Sequence, residues 1–203
     1  MNDYLITILV SYLLGSVPSG LLIGKWLRGV DIRQLGSKNI GATNAFRILG
    51  PWPAFWVFFI DAVKGMAGVC LGQMLTGETL GLLAGGIAAI AGHNWSIFLK
   101  FKGGRGVATG LGVILILSPK VTLIVFLVWA FIVYITRYVS LGSIVAAVLV
   151  PFCMWLFGEK TEILIFGIFA ALFVILKHRP NIVRLLHGEE LKIKPPEGNG
   201  RCF

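Results

Sequence analysis

Long apolar runs, separated by short polar segments, dominate this chain. Crossing a bilayer as a helix takes about 20 apolar residues. Candidate spans run from Tyr4 to Leu22, Trp52 to Leu75 and Leu80 to Leu99. Later ones run from Val121 to Thr136, Leu141 to Phe157 and Ile163 to Leu176. Between them Val107 to Leu117 is too short to cross at full thickness, and reads as a half-buried helix or one lining a cavity. The pattern predicts an all-α integral membrane protein of about seven transmembrane helices. It forms a single polytopic domain over 1–203, with a mobile polar tail over about 190–203.

Composition agrees with that pattern. Hydrophobic residues make up 57% of the chain and charged residues 13%. The charged share is about half the roughly 25% of a soluble domain, so lipid must cover surface that one soluble core could not hide. The net charge of +9 admits two readings, nucleic acid binding or the positive-inside rule. Placement decides between them. With seven crossings, all 18 Lys and Arg except Lys64, Lys120 and Lys160 fall on one side. That side is therefore cytoplasmic, with the N-terminus outside and the C-terminus inside, and no nucleic acid partner is needed. The asymmetry holds only if the short run also crosses. Cys70, Cys153 and Cys202 are far apart, show no metal spacing and are expected as free thiols.

Three polar segments carry the candidate chemistry, all on the predicted cytoplasmic side. The first is Gly36-Ser37-Lys38-Asn39-Ile40-Gly41-Ala42-Thr43-Asn44, followed by Arg47. Its hydroxyls, amides and cations are donors suited to phosphate and polyols, denser than a plain turn-rich loop needs. The second joins His93 and Asn94 to Lys100-Phe101-Lys102-Gly103-Gly104-Arg105-Gly106 and Thr109. Three glycines among four residues before a helix start favour an anion nest over a simple basic turn. The order of a P-loop is absent, which argues against a nucleoside triphosphate. The third is His178-Arg179-Pro180-Asn181 with Arg184, His187, Gly188, Glu189 and Glu190, where Asn181 and Arg184 share a helix face at i, i+3.

Two further features lie nearer the membrane. Asp61 and Lys64 are at i, i+3 inside a span, where charge costs roughly 3 kcal/mol unless paired, so they are expected to pair and face the bundle. Ser140 and Ser143 either cap a helix or bind substrate. No zinc-binding His-Glu pattern, no Gly-x-Ser-x-Gly elbow and no His-x4-Asp pair occurs. Anion-binding loops and one histidine remain as the implied chemistry.

Taken together, the three segments resemble the PlsY family, the bacterial membrane glycerol-3-phosphate acyltransferases that use acyl phosphate. The carriers are Gly36 to Asn44, then Gly92-His93 with Phe101 to Thr109, then His178 to Gly188. Arg105 stands where family members often carry Lys. The resemblance implies a multi-pass protein of the bacterial inner membrane with its active site on the cytoplasmic face. It implies acyl transfer from acyl phosphate to position 1 of glycerol-3-phosphate, giving lysophosphatidic acid and phosphate. No cofactor, metal or acyl-enzyme is implied. Membrane lipid surrounds it, and the soluble acyl-phosphate synthase PlsX is its implied partner.

The resemblance also distributes roles. His178, Asn181, Ser37 and Lys102 are implied as catalytic. Asn39, Thr43, Asn44, Arg47, His93, Gly103, Gly104, Arg105, Gly106, Ser140 and Arg184 are implied as substrate-binding. Within that set Gly103, Gly104 and Gly106, with Ser37 and Thr43, would hold the donor phosphate. Lys102, Arg47, Ser140, His178 and Asn181 would hold the acceptor and the developing oxyanion, with Glu189 bracing the third segment. Two other readings stay open: a transporter of a phosphorylated solute, and a scaffold for acidic lipid.

Overall fold

The structure is a computed structural model that describes residues 2–193. Every regular element among them is helical. The order is α1 (Asn2–Ser16), α2 (Ser19–Arg28), α3 (Ala42–Leu49), α4 (Pro51–Thr76), α5 (Thr79–Asn94) and α6 (Val107–Leu117). Then follow α7 (Pro119–Thr136), α8 (Val139–Leu156), α9 (Thr161–Lys177) and α10 (Arg179–Leu186), with 3-10 turns at Ile32–Gln34 and Ile97–Leu99.

Each apolar run read from the sequence lies largely within one of these elements, but length alone does not give seven crossings. Five stretches are long and apolar enough: Asn2–Arg28, Pro51–Thr76, Thr79–Leu99, Pro119–Thr136 and Val139–Leu156. A sixth is reached only if α9 and α10, bent by 57°, count as one. Helix α6 has 11 residues. The first stretch is broken at Val17-Pro18, because Pro18 has no N–H to continue the ladder. At the break the Val17 carbonyl accepts from Ser19 N at 3.1 Å and from Lys64 Nζ at 3.0 Å.

Polarity is inverted relative to a soluble protein. Phe131, Phe169, Leu172 and Leu123 point outward, while Thr7, Ser11, Asp61, Lys64 and His93 are buried. An apolar exterior of this kind is suited to hydrocarbon. Small residues let the helices approach closely, as expected where lipid removes the hydrophobic drive between them. A Cβ at Gly15 or Gly92 would overlap the backbone across the α1–α5 contact. Gly65 and Gly112 play the same part between α4 and α6, where a side chain would strike the Thr109 or Ala62 carbonyl. Helices α7 to α9 form a second group around Val125, Val150, Met154 and Phe166. The gap between the two groups is the site.

Candidate active site

A cavity of about 210 Å3, open at its mouth, runs between the two helix groups. Its deep part is apolar, lined by Ile114, Val125, Phe126, Val150, Phe166 and Ala170. Its mouth is polar, and the three segments meet there: Ser37, Asn39, Thr43, Asn44 and Arg47; His93, Arg105 and Gly106; Ser140, His178, Asn181 and Arg184. These residues span 148 positions of sequence, from 37 to 184, so only the fold brings them together.

The first segment is built around Asn44. Its Oδ1 accepts from Ser37 N at 2.8 Å, and its Nδ2 donates to the carbonyls of Ile32, Leu35 and Asn39. Asn44 therefore shapes the loop, with its hydrogen-bonding capacity used inside the protein. Asn39 does similar work, accepting from Gly41 N at 3.2 Å. The loop leads into α3, whose N-cap Gly41 brings no side-chain cap. Ala42 and Thr43, the first residues of that helix, line the cavity.

The second segment holds a difference from the sequence reading. Gly103 N donates to Asn94 O at 3.1 Å and Gly104 N to His93 O at 3.0 Å. Both amides thus satisfy the last carbonyls of α5 and are already engaged. A Cβ at Gly104 would overlap His93 Nε2, and one at Gly103 would overlap His93 O, so glycine is required for this close approach. The chain turns toward it through Lys100 and Phe101, both left-handed at φ 53° and 61°. The residues of this segment's helix start that line the cavity are Val107 and Ala108, after the left-handed Gly106. Lys102 is not brought to the cavity. It lines a separate hollow with Lys38, Lys100 and Gly103. Gly104→Ala is expected to lower turnover about tenfold to a hundredfold by displacing Arg105 and the α6 start, measured as initial rate.

The third segment turns on Glu190, a member of that segment to which the sequence reading assigned no role of its own. Glu190 is buried, while Glu189, read as the brace, is exposed. The left-handed Gly188, at φ 72°, reverses the chain after α10 and brings Glu190 back over it. Asn181 Nδ2 donates to Glu190 Oε1 at 2.6 Å, and Arg184 Nε to Oε2 at 2.7 Å. Burial alone would push the Glu190 carboxyl up, but the hydrogen bonds from Asn181 and Arg184 outweigh it and leave the pKa lowered. The ionised form thus stabilises the fold at neutral pH, and that contribution is lost only as pH falls through the depressed range. The acidic pair in the sequence offered no signal to separate its two members.

Residues 190–193, assigned by the sequence to a mobile tail, are also held. Arg47 Nη2 donates to Leu191 O at 2.8 Å, and Ile193 N to Arg137 O at 2.8 Å. The rest of that tail and Cys202 lie outside the described residues; Cys70 and Cys153 are free thiols.

Unpaired polar atoms collect around the cavity. Arg47 Nε, His93 Nδ1, Trp129 Nε1, Ser140 Oγ and Asn181 Oδ1 are buried without a hydrogen-bond partner. Groups of this kind cost free energy unless something fills the space. The Ser140 hydroxyl lies near enough to Glu190 to help hold it ionised, though without a formed hydrogen bond. Ser143 Oγ donates to Val139 O at 2.9 Å, so it is spent on its own helix. His178 Nδ1 lies 2.8 Å from Val174 O. A carbonyl only accepts, so Nδ1 carries the proton and Nε2 of the neutral ring is an acceptor.

Charge at the mouth is unbalanced. Asp61 pairs with Lys64 at 2.8 Å and lies 3.6 Å from His93 Nδ1, and Glu190 pairs with Arg184. Arg47 and Arg105 have no carboxylate within ion-pair distance among the described residues. Two guanidiniums and two helix starts beside an apolar tunnel suit a ligand with phosphate at one end and a fatty chain at the other.

Comparison with known proteins gives the same direction. Residues 5–188 match the family model described as glycerol-3-phosphate acyltransferase. The glycerol-3-phosphate acyltransferase 2 of Moorella thermoacetica is 48% identical over 190 residues, covering 94% of this chain and 97% of its own. The glycerol-3-phosphate acyltransferase of Carboxydothermus hydrogenoformans is 49% identical over 185 residues, 91% and 94% of the two chains. Two crystal structures of PlsY, an integral membrane glycerol 3-phosphate acyltransferase, superpose on this fold. Its glycerol 3-phosphate form has a TM-score of 0.89 at 41% identity, covering 94% of this chain and 96% of that one. Its lysophosphatidic acid form has a TM-score of 0.87 at 40% identity, covering 94% and 95%.

Proposed function

The chain belongs to the glycerol-3-phosphate acyltransferase family, and from that premise we propose that it transfers a fatty acyl group from acyl phosphate to the 1-hydroxyl of glycerol-3-phosphate. The products are lysophosphatidic acid and inorganic phosphate. The protein is an integral membrane acyltransferase. The finer reading is a single polytopic domain of seven crossings in the bacterial inner membrane, N-terminus outside, active site cytoplasmic. The one-sided placement of Lys and Arg supports that orientation. PlsX, making the acyl phosphate, is the functional partner of this reading.

One observation carries the proposal: a single cavity joins an apolar tunnel to a mouth with two guanidiniums that have no directly ion-paired carboxylate among the described residues. Both substrates bear phosphate, and the donor also bears an acyl chain. The chain packs in the tunnel against Phe126, Val150 and Phe166. Phosphates are held by Arg47, Arg105 and the Thr43 and Val107 helix starts.

The chemistry then needs positioning more than a nucleophilic side chain, because the acyl group is already activated. The 1-hydroxyl oxygen attacks the acyl carbonyl carbon. A new C–O ester bond forms, and the bond from that carbon to the bridging phosphate oxygen breaks. The hydroxyl proton ends on the departing phosphate. Asn181 Oδ1, freed by the hold of Glu190 on Nδ2, accepts from the attacking hydroxyl and aims it. His178 Nε2 is the second acceptor at this edge.

Purified protein in detergent, mixed with palmitoyl phosphate and glycerol-3-phosphate, is expected to yield lysophosphatidic acid and phosphate in equal amounts. Product from palmitoyl-CoA with none from palmitoyl phosphate would overturn the donor assignment.

A further inference from the structure

The acceptor site described above leaves one charged group without a part in the transfer. Glu190 is buried at the centre of the mouth, 2.6 Å from Asn181 Nδ2 and 2.7 Å from Arg184 Nε. Leu191, the next residue, gives its carbonyl to Arg47. A single short strap therefore touches three residues at the phosphate end of the site: Arg47, Asn181 and Arg184. We infer that Glu190 is an internal counter-ion to the arginines of this mouth, a positioning residue whose charge sets how tightly the acceptor's phosphate is held.

The physical argument begins with repulsion. Arg47, Arg105 and Arg184 line one mouth, and like charges brought together in a half-buried space destabilise one another. Burial weakens the charged form of Arg47; Glu190 opposes this and Arg184 adds to it. The same sequence of effects acts on Arg105, with Arg47 as a further repelling neighbour. Arg47 and Arg105 remain charged regardless, since arginine does not titrate in this range. The other groups facing Glu190 are His178 and the Ser140 hydroxyl. Asp61 is spent on Lys64. Among the described residues, Glu190 is thus the carboxylate left to balance the cluster when no substrate is bound.

The same geometry gives a cost to binding. A phosphate entering the mouth meets the guanidiniums it needs and also the Glu190 carboxylate. That repulsion lowers affinity for the acceptor and for inorganic phosphate alike, which favours release of the leaving phosphate. Asn181 and Arg184 keep their orientation throughout, because a carboxylate holds both.

This inference rests on the acceptor reading of the previous subsection, and the test separates the two. Glu190→Gln keeps the shape and an oxygen for Asn181 but removes the charge. Its KM for glycerol-3-phosphate is expected to fall about fivefold, and inhibition by inorganic phosphate to tighten by a similar factor, as loss of one nearby negative charge requires. Both shifts should shrink at high salt. Glu190→Asp keeps the charge on a shorter arm. Its KM should stay near wild type while kcat falls, because Asn181 loses its anchor. A Glu190→Gln enzyme with KM unchanged or raised would overturn the inference while wild-type acyl transfer stands. If Glu190→Gln does not accumulate in membranes, Glu190→Asp decides, and a fall in its KM overturns the idea. A wild-type enzyme that acylates no glycerol-3-phosphate from any donor would instead remove the acceptor reading itself.

Discussion

Arg105→Ala is expected to lower kcat/KM for glycerol-3-phosphate and acyl phosphate by about a hundred- to thousandfold, the usual cost of losing a charged partner to a desolvated anion. Arg105 has no carboxylate within ion-pair distance among the described residues. Its charge is therefore available to a phosphate. It also stands one residue before the left-handed Gly106 that opens α6. Guanidinium and free helix amides thus act on the same anion from adjacent positions. Arg105→Lys keeps the charge and should retain most of the activity, since one contact at this position needs a cation more than a fork. Steady-state kinetics on both variants decides the point. An alanine enzyme within about threefold of wild type would remove Arg105 from the site, because losses that small fall below a single neutral hydrogen bond.

Asp61→Ala is expected to be the most damaging change to stability, about 3 to 5 kcal/mol, because it leaves the Lys64 charge buried and uncompensated. Asp61 accepts from Ser19 Oγ at 2.6 Å and pairs with Lys64 at 2.8 Å. Lys64 in turn donates to Val17 O, at the break before Pro18. This network ties the break between α1 and α2 to α4, and through His93 it sits beneath Gly104. Removing both charges, Asp61→Ala with Lys64→Met, should recover part of the loss, since no buried ion then lacks a partner. Denaturant titration in mixed micelles measures both. A single variant as stable as wild type would show that water reaches this cluster.

Both predictions rest on residues whose legibility differed. The pairing of Asp61 with Lys64 could be expected from spacing alone, since i, i+3 on one helix makes neighbours whatever surrounds them. That Ser19, Val17 and His93 join them could not, because those residues come from two other segments, the α1–α2 break and the end of α5. Asn181 and Arg184 were placed on one face by the same helical spacing, yet the group they face, Glu190, was not. Its partner choice depends on a chain reversal at Gly188 and on which of two adjacent carboxylates the turn points inward.

Lys102 shows how the path of a loop separates neighbours of like composition. It sits inside a glycine-rich basic loop beside Arg105, and composition does not separate the two. The loop's path does. Lys100 and Phe101 turn left-handed, Gly103 and Gly104 run back along the end of α5, and Lys102 is left facing another hollow. Gly103 and Gly104 read as an anion nest, but their amides close the α5 carbonyls. Their lack of a side chain serves backbone packing against His93.

The sequence by itself determined the membrane character, the helical runs, the short α6 and the three segments that carry polar chemistry. These are properties of local order: apolar length, helical spacing and charge placement depend on neighbours along the chain. The tertiary structure alone decided which amides are free, which carboxylate balances the arginines, and that an apolar tunnel opens onto the polar mouth. Those depend on contacts between residues far apart in the chain, set by how α3, α6, α8 and α10 converge, and no local pattern encodes them.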